Sequence, residues 1–473
     1  MNAPQRPNTL TNPRQPQERS SSRLAKRLRR EVRGDIHFDK AARGRYSTDA
    51  SIYQIMPLGV VLPKTAFDLR IALDIARDEG VAVLPRGAGT SQCGQTVGEA
   101  LVIDTSKYLC SLTQLDTENQ TAVVQPGLVL DHLNARLKPK GLWFPVDVST
   151  AAQCTLGGMT GNNSCGSRSL HYGNMVHNVL GIDAILDDGT QAYFGRFGDK
   201  GDMRLSSRRL SDLVSRLFQI SDSVKTDIQD IWPKVMRRVG GYNLDIFFPQ
   251  SERPYTEDGS LNLSHLLVGS EGTLATFEAI HLKLSKLPAH KLLGVVNFPN
   301  FQTSMELAKE IVKLKPVAVE LVDRTMIELC RANPVFASVI ADALVNVNGQ
   351  ETDALLLVEF AGDNKDQLTQ QLEALDVLMA DHGLPKATVK FIEPARQSAL
   401  WEVRKAGLNI MMSLRGDGKP VSFIEDCAVP LEHLAEYTAR LTEIFAKHGT
   451  QGTWYAHASV GTLHVRPILD MRG

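Results

Sequence analysis

The chain of 473 residues has few cysteines and no clustered ones. Its six cysteines, Cys93, Cys110, Cys154, Cys165, Cys330 and Cys427, form no C-x-x-C pair. No iron–sulfur or zinc-ribbon site is therefore readable in these residues. Scattered thiols suit a reducing compartment, where they act as small buried apolar residues. Long hydrophobic runs are also missing. No stretch approaches the roughly 18 apolar residues of a membrane-spanning helix. Net charge is nearly absent, at −1, so nothing draws the whole chain to nucleic acid or membrane. What remains is an ordinary globular balance, with 43% hydrophobic and 22% charged residues, long enough for two or three domains.

Residues 1–45 differ from the rest. They carry twelve Lys/Arg against four Asp/Glu and hold Pro4, Pro7, Pro13 and Pro16. No apolar core of a secretory signal is present. The expectation is a basic, partly disordered arm that turns helical through 24–32, with a mitochondrial transit peptide as the alternative. A cytoplasmic location is expected, with peripheral contact at the inner membrane as a variant.

Apolar spacing predicts a helix over 65–79 and a short strand over 81–84. Further strands are expected over 100–104, 121–125 and 179–186, with a helix over 129–137. The turn Asp187-Asp188-Gly189-Thr190 leads into a strand at 191–194. Residues 210–232 read as helical with a break near Asp222, and 266–268 as a strand. Beyond 288 glycine thins out and strands (293–298, 317–322, 354–360) alternate with helices (303–314, 367–382). That pattern predicts a sheet with helices on one face and a domain boundary at 285–290.

Pro85-Arg86-Gly87-Ala88-Gly89-Thr90-Ser91 follows a strand but does not open a helix. It also lacks the G-x-G-x-x-G spacing, which argues against a Rossmann arrangement. A second stretch, Gly157-Gly158-Met159-Thr160-Gly161-Asn162-Asn163-Ser164-Cys165-Gly166, packs glycines and small polar residues together. A third is Gly269-Ser270-Glu271-Gly272-Thr273-Leu274. Glycine lets backbone N–H groups approach a ligand closely, and consecutive N–H groups cradle anions.

These loops, with Tyr172-Gly173, Leu186-Asp187-Asp188-Gly189-Thr190 and Gly241-Tyr242-Asn243-Leu244, resemble the FAD-linked oxidases of the p-cresol methylhydroxylase and vanillyl-alcohol oxidase type. The nearest subgroup is the D-2-hydroxy acid dehydrogenases acting on D-lactate, glycolate or D-2-hydroxyglutarate. The resemblance implies an α+β fold: a two-subdomain FAD-binding part over 46–287, then an α+β, ferredoxin-like substrate domain over 288–473, truncated. It implies that residues 85–91 wrap the FAD pyrophosphate. Gln95, Thr155, Gly158, Asn162, Gly166, Tyr172, Gly173, Glu271 and Gly272 complete the cofactor set. Covalent members carry a histidine in the first loop, and Cys154 is not at the spacing of a cysteinyl link. Non-covalent FAD is expected.

The resemblance extends to substrate groups. Trp401-Glu402-Val403-Arg404 is similar to a motif whose arginine grips a carboxylate, and Lys419 to a second cation. His457-x₃-Gly461-x₂-His464 resembles a pair that holds a divalent metal such as zinc, polarising the substrate hydroxyl. The chain departs from the pattern in two ways. It has no Glu-His-Gly segment, which supplies the relatives' acidic ligand and base, and Arg466 stands where relatives carry asparagine. The expected function is oxidation of a D-2-hydroxy acid to the 2-oxo acid, with electrons passed to a quinone or an electron-transfer protein. An iron–sulfur domain is expected in a longer protein of which this is the N-terminal part. The alternative is a flavin-binding fragment or subunit that needs the missing part or a partner; an ether-lipid synthase of the same fold is a third reading.

Overall fold

Leu24, Leu28 and Val32 lie three to four residues apart, so a helix carries them on one side. In the computed structural model, which describes residues 16–199, 201–250 and 253–472, the helix Pro16–Glu31 does so. The three side chains pack on Val61, Leu69, Ile75 and Leu101. The arm turns helical as expected, but from Leu24 onward it is not solvated, because its apolar stripe is part of a core. Residues 1–15 of that arm lie outside the described residues.

Strand Gly34–His37 pairs antiparallel with Gly59–Pro63. Next in the sheet come Leu101–Asp104 and then Val83–Arg86, both in parallel register. The helix Ala66–Asp78 makes the parallel crossover. It starts at a capping box in which Thr65 and Asp68 satisfy each other's backbone N–H groups. A second sheet of five antiparallel strands has the order Leu112–Asp116, Thr121–Val124, Thr276–Lys283, Val179–Ile185, Gln191–Phe194. Its central strand comes last in sequence, so this half closes only when residue 283 is in place.

Ser285–Lys286 still pairs with Leu142–Trp143 of the first half, while His290–Phe298 already belongs to the third sheet. That sheet has eight strands, with Ala354–Gly362 and Ala318–Asp323 near its centre and all pairings antiparallel. Alternation along Ala354–Gly362 decides how it is covered. Leu356 and Val358 meet side chains of the helices Phe301–Val312 and Lys365–Asp381. Leu355 and Leu357 meet those of Arg324–Ala332 and Pro394–Lys405. Helices therefore cover both faces, which corrects the one-faced expectation, and the sheet is larger than a four-stranded ferredoxin-like unit.

Two local readings also change. Residues 264–267 are a helical turn, Ser264–Leu267, rather than a strand, because the Asn262 side chain accepts from the Ser264 N–H and starts the turn. The second glycine stretch is not all loop. It contains the helix Leu156–Asn162, capped by Thr155. Among the described residues no helix is long and apolar enough to cross a membrane.

Candidate active site

A cavity of about 700 Å³ lies between the two halves, within the usual size of a ligand site. Residues 85–92, 157–159 and 161–168 line one side, and Trp401, Arg404, Tyr455, His457 and His464 line the other.

Glycine is required here for close approach. A methyl at Gly87 would lie 2.2 Å from Thr155 Oγ1, and one at Gly166 would lie 2.3 Å from Asp147. The first loop therefore sits directly on Thr155 at the start of the second stretch, and the end of that stretch sits on Asp147. Arg86 lines the cavity, but its side chain is engaged behind the loop. Its guanidinium turns back to the carbonyls of Tyr46, Thr48 and Thr96 and stacks over Tyr46 at 5.3 Å. It holds the loop in place from behind. Glu271 fastens the third segment to the other two. Its N–H donates to Gly161 O at 2.9 Å, and its carboxylate accepts from Asn162 and Gln95. Burial raises the Glu271 pKa while those two donors lower it. Its φ of 52° is unusual for a glutamate, a strain that persists only where surroundings impose it. The cradle of three loops, closed to any side chain at Gly87 and Gly166, fits an extended cofactor with phosphates.

Tyr172 and Gly173, expected among the cofactor residues, do not line the cavity. Tyr172 packs edge-on against Trp143 at 5.1 Å instead.

On the opposite side, strand register sets the chemistry. Glu320 lies directly across from His457, and Tyr455 lies across from His464. His457 Nδ1 is 2.7 Å from Glu320 Oε1. Tyr455 and His464 stack at 4.4 Å, and the two histidine rings meet edge-on at 5.0 Å. The glycine of the His-x₃-Gly-x₂-His spacing has its own reason. Gly461 adopts φ 64°, and a methyl there would be 1.9 Å from Val429 O. Gly461→Ala should therefore distort the hairpin and lower stability by about 1–3 kcal/mol, measured as a shift of the urea midpoint. A midpoint equal to wild type would show that the turn tolerates the side chain.

Arg404 is 7% exposed and stacks over Tyr455 at 4.9 Å. Its Nη2 is 2.7 Å from Glu320 Oε2, yet out of line for a hydrogen bond, and its Nε has no hydrogen-bond partner among the described residues. Burial pushes the Glu320 carboxyl up to about 7, against the pull of Arg404, Arg237 and His464. Lys419 is not part of this group. It lies outside the cavity and donates to the Leu414 carbonyl at 2.5 Å, so the second cation expected from the sequence is not there. Nor do His457 and His464 form the expected metal centre by themselves: among the described residues no group of three His, Cys, Asp or Glu side chains is placed to hold an ion.

The sequence reading missed four participants. Arg168 joins the halves. It binds Glu359 through two hydrogen bonds, at 2.6 and 2.7 Å, and Asp147 at 2.5 Å, and it lies 5.0 Å from the Trp401 ring centre. Glu320 and Tyr455 were missed because each stands in an apolar strand with nothing in its spacing to mark it, and Arg237 because it sits beside a second arginine, Arg238, in an irregular stretch.

Residues 57–194 match the family described as FAD binding domain, and residues 287–473 match the FAD linked oxidases, C-terminal domain. The chain is 32% identical over 453 residues to D-2-hydroxyglutarate dehydrogenase of Escherichia coli (strain K12), which covers 93% of this chain and 43% of that protein. It is 26% identical to glycolate oxidase subunit GlcD of Bacillus subtilis (strain 168), covering 93% of this chain and 80% of the relative. The chain thus spans less than half the length of the dehydrogenase. Among solved structures, an alkyldihydroxyacetonephosphate synthase overlays with TM-score 0.67 at 16% identity, covering 96% of this chain and 81% of its own. A substrate-bound p-cresol methylhydroxylase overlays with TM-score 0.64 at 13% identity, covering 96% and 83%; these two likenesses speak for the fold. With an FAD binding domain followed by the FAD linked oxidase C-terminal domain, in that order and in this fold, the chain belongs to the FAD linked oxidases.

Proposed function

We propose that the chain oxidises a D-2-hydroxy acid to the 2-oxo acid. One observation carries the reading: a buried arginine with unused donors, Arg404, shares a cavity with a glycine-lined cofactor cradle and two histidines. FAD bound in that cradle would supply the hydride acceptor. Arg404 holds the substrate carboxylate through its planar fork. His457, held on its Nδ1 side by Glu320, takes the hydroxyl proton, and His464 steadies the oxygen it leaves. Tyr455 fixes the planes of both Arg404 and His464. The cofactor is held non-covalently, with residues 85–91 at its pyrophosphate and Gln95, Thr155, Gly158, Asn162, Gly166, Glu271 and Gly272 around it.

Anaerobic mixing of the FAD-loaded chain with D-lactate and with D-2-hydroxyglutarate is expected to bleach the flavin absorbance. No bleaching with any D-2-hydroxy acid, in protein that retains FAD on gel filtration, would favour a flavin-binding piece that depends on a partner. A divalent ion on His457 and His464 would need a further ligand, which the substrate could provide. If such an ion takes part, dialysis against EDTA abolishes bleaching and zinc restores it. Electrons pass to a quinone or a carrier protein, and an iron–sulfur segment in a longer protein is the natural candidate. The reading frame beyond codon 473 tests that last point.

A further inference from the structure

With Lys419 spent on a main-chain carbonyl, the cavity's second cation has to be sought elsewhere. Arg237 has the required properties. It belongs to the flavin half, lines the same cavity as Arg404 and is 6% exposed. Its Nε donates to the Cys165 thiol at 2.5 Å, which fixes the direction of the fork. Its Nη1 is buried and has no hydrogen-bond partner among the described residues. A buried guanidinium N–H without an acceptor has lost its water and gained nothing in return, so an anion that fills the position is favoured.

The neighbouring residue shows what a structural arginine looks like in this segment. Arg238 does not line the cavity: both ends of its fork are taken by the Gly240 carbonyl and Asn243 Oδ1, it lies over Trp232 at 4.5 Å, and its Nε, though without a hydrogen-bond partner among the described residues, is buried away from that space. Arg238 anchors the irregular segment, and Arg237 is presented by it. The charge arrangement agrees. Arg237 and Arg404 both act on the same buried carboxylate, Glu320, one from each half of the molecule. Two further cations of the cavity wall already have anions: Arg168 pairs with Asp147 and Glu359, and Lys291 lies in the field of the same two carboxylates.

We propose that Arg237 is the flavin half's own anchor for substrate, so that the cavity selects a 2-hydroxy acid with two carboxylates, one held by Arg404 and the other by Arg237. This rests on the hydroxy acid reading above, but it concerns which anion binds. It can therefore be tested without turnover.

The test uses the FAD-loaded chain and two probes that carry no hydroxyl to oxidise, glutarate and butyrate. Binding is read from the flavin difference spectrum, and the quantity compared is the ratio of the two Kd values within one protein. Wild type should bind glutarate on the order of 100-fold more tightly than butyrate, the scale of one buried charge-assisted anchor. Arg237→Met should bring the ratio down to about 1 while butyrate binding changes by less than about 3-fold. Arg237→Lys, which keeps the charge and loses the fork, should fall between them; if the methionine variant does not hold FAD, the lysine variant decides. A ratio near 1 in wild type, or a ratio unchanged in either variant, overturns the proposal. A high, Arg237-dependent ratio in a chain that no hydroxy acid bleaches would leave the dicarboxylate site standing and remove the dehydrogenase reading.

Discussion

Arg168→Met should lower stability by about 3–5 kcal/mol, because it breaks a buried ion pair at the joint of the two halves. The arginine is 14% exposed and its partner Glu359 is 1% exposed. Burial works against the Glu359 carboxylate, but the charge and hydrogen bonds of Arg168 outweigh it and hold its pKa below the usual range. Asp147 is pushed up by burial even with the arginine present. Removing the guanidinium leaves two buried carboxylates facing each other, and protonation of one relieves only part of the cost. A double-mutant cycle with Glu359→Gln in urea unfolding measures the pair. Coupling below about 0.5 kcal/mol would mean that the halves are held by something else. Flavin retention should fall as well, since Arg168 follows directly on the cofactor loop that ends at Gly166.

Arg404→Met should reduce kcat/KM for a D-2-hydroxy acid by about 10²–10⁴-fold, corresponding to about 3–5 kcal/mol for a buried charge-assisted contact. Flavin content should be unchanged, because Arg404 is on the opposite wall from the glycine cradle. The fork matters as well as the charge. Arg404→Lys should recover less than a tenth of the loss, because one ammonium cannot match two carboxylate oxygens. A lysine variant with near wild-type kcat/KM would place the carboxylate elsewhere. The methionine variant also deprives Glu320 of its nearest cation, so thermal unfolding must be followed alongside to separate lost binding from lost packing.

The cofactor half was legible because its function is written in backbone. Gly87 and Gly166 are glycine for steric reasons that survive in the one-letter code, and so is Gly461 between the two histidines. The substrate half was legible only where a resemblance supplied the residues. Glu320 sits in an apolar strand, Ala318–Asp323, where nothing but strand register brings it opposite His457. Arg237 and Arg238 are adjacent and chemically identical, and only the fold tells the anchoring one from the one that faces the cavity. Lys419 shows the reverse error: its position along the chain suggested a substrate cation, while the side chain reached a carbonyl five residues back. The helices on the second face of the large sheet were missed because their apolar residues are few and interrupted: Arg324–Ala332 buries only Met326, Ile327 and Cys330, and Pro394–Lys405 buries Gln397 and Arg404 beside Leu400, Trp401 and Val403.

The order of strands in that sheet also bears on how the protein is made. Ala318–Asp323 pairs on one side with Ala354–Gly362, which follows soon after it on the ribosome. Its other edge is covered by Gly452–His457, and the Asp323 side chain waits for the N–H of Trp454, 131 residues later. At usual rates of synthesis that interval is roughly 7–26 s. During it the nascent chain displays an apolar strand with unpaired peptide groups, the kind of edge that recruits other chains. The flavin half can close earlier, once Thr276–Lys283 has emerged. The vulnerable period in this protein's biogenesis therefore falls after the cofactor half can close and before the hairpin bearing the two histidines arrives to cover the bare edge.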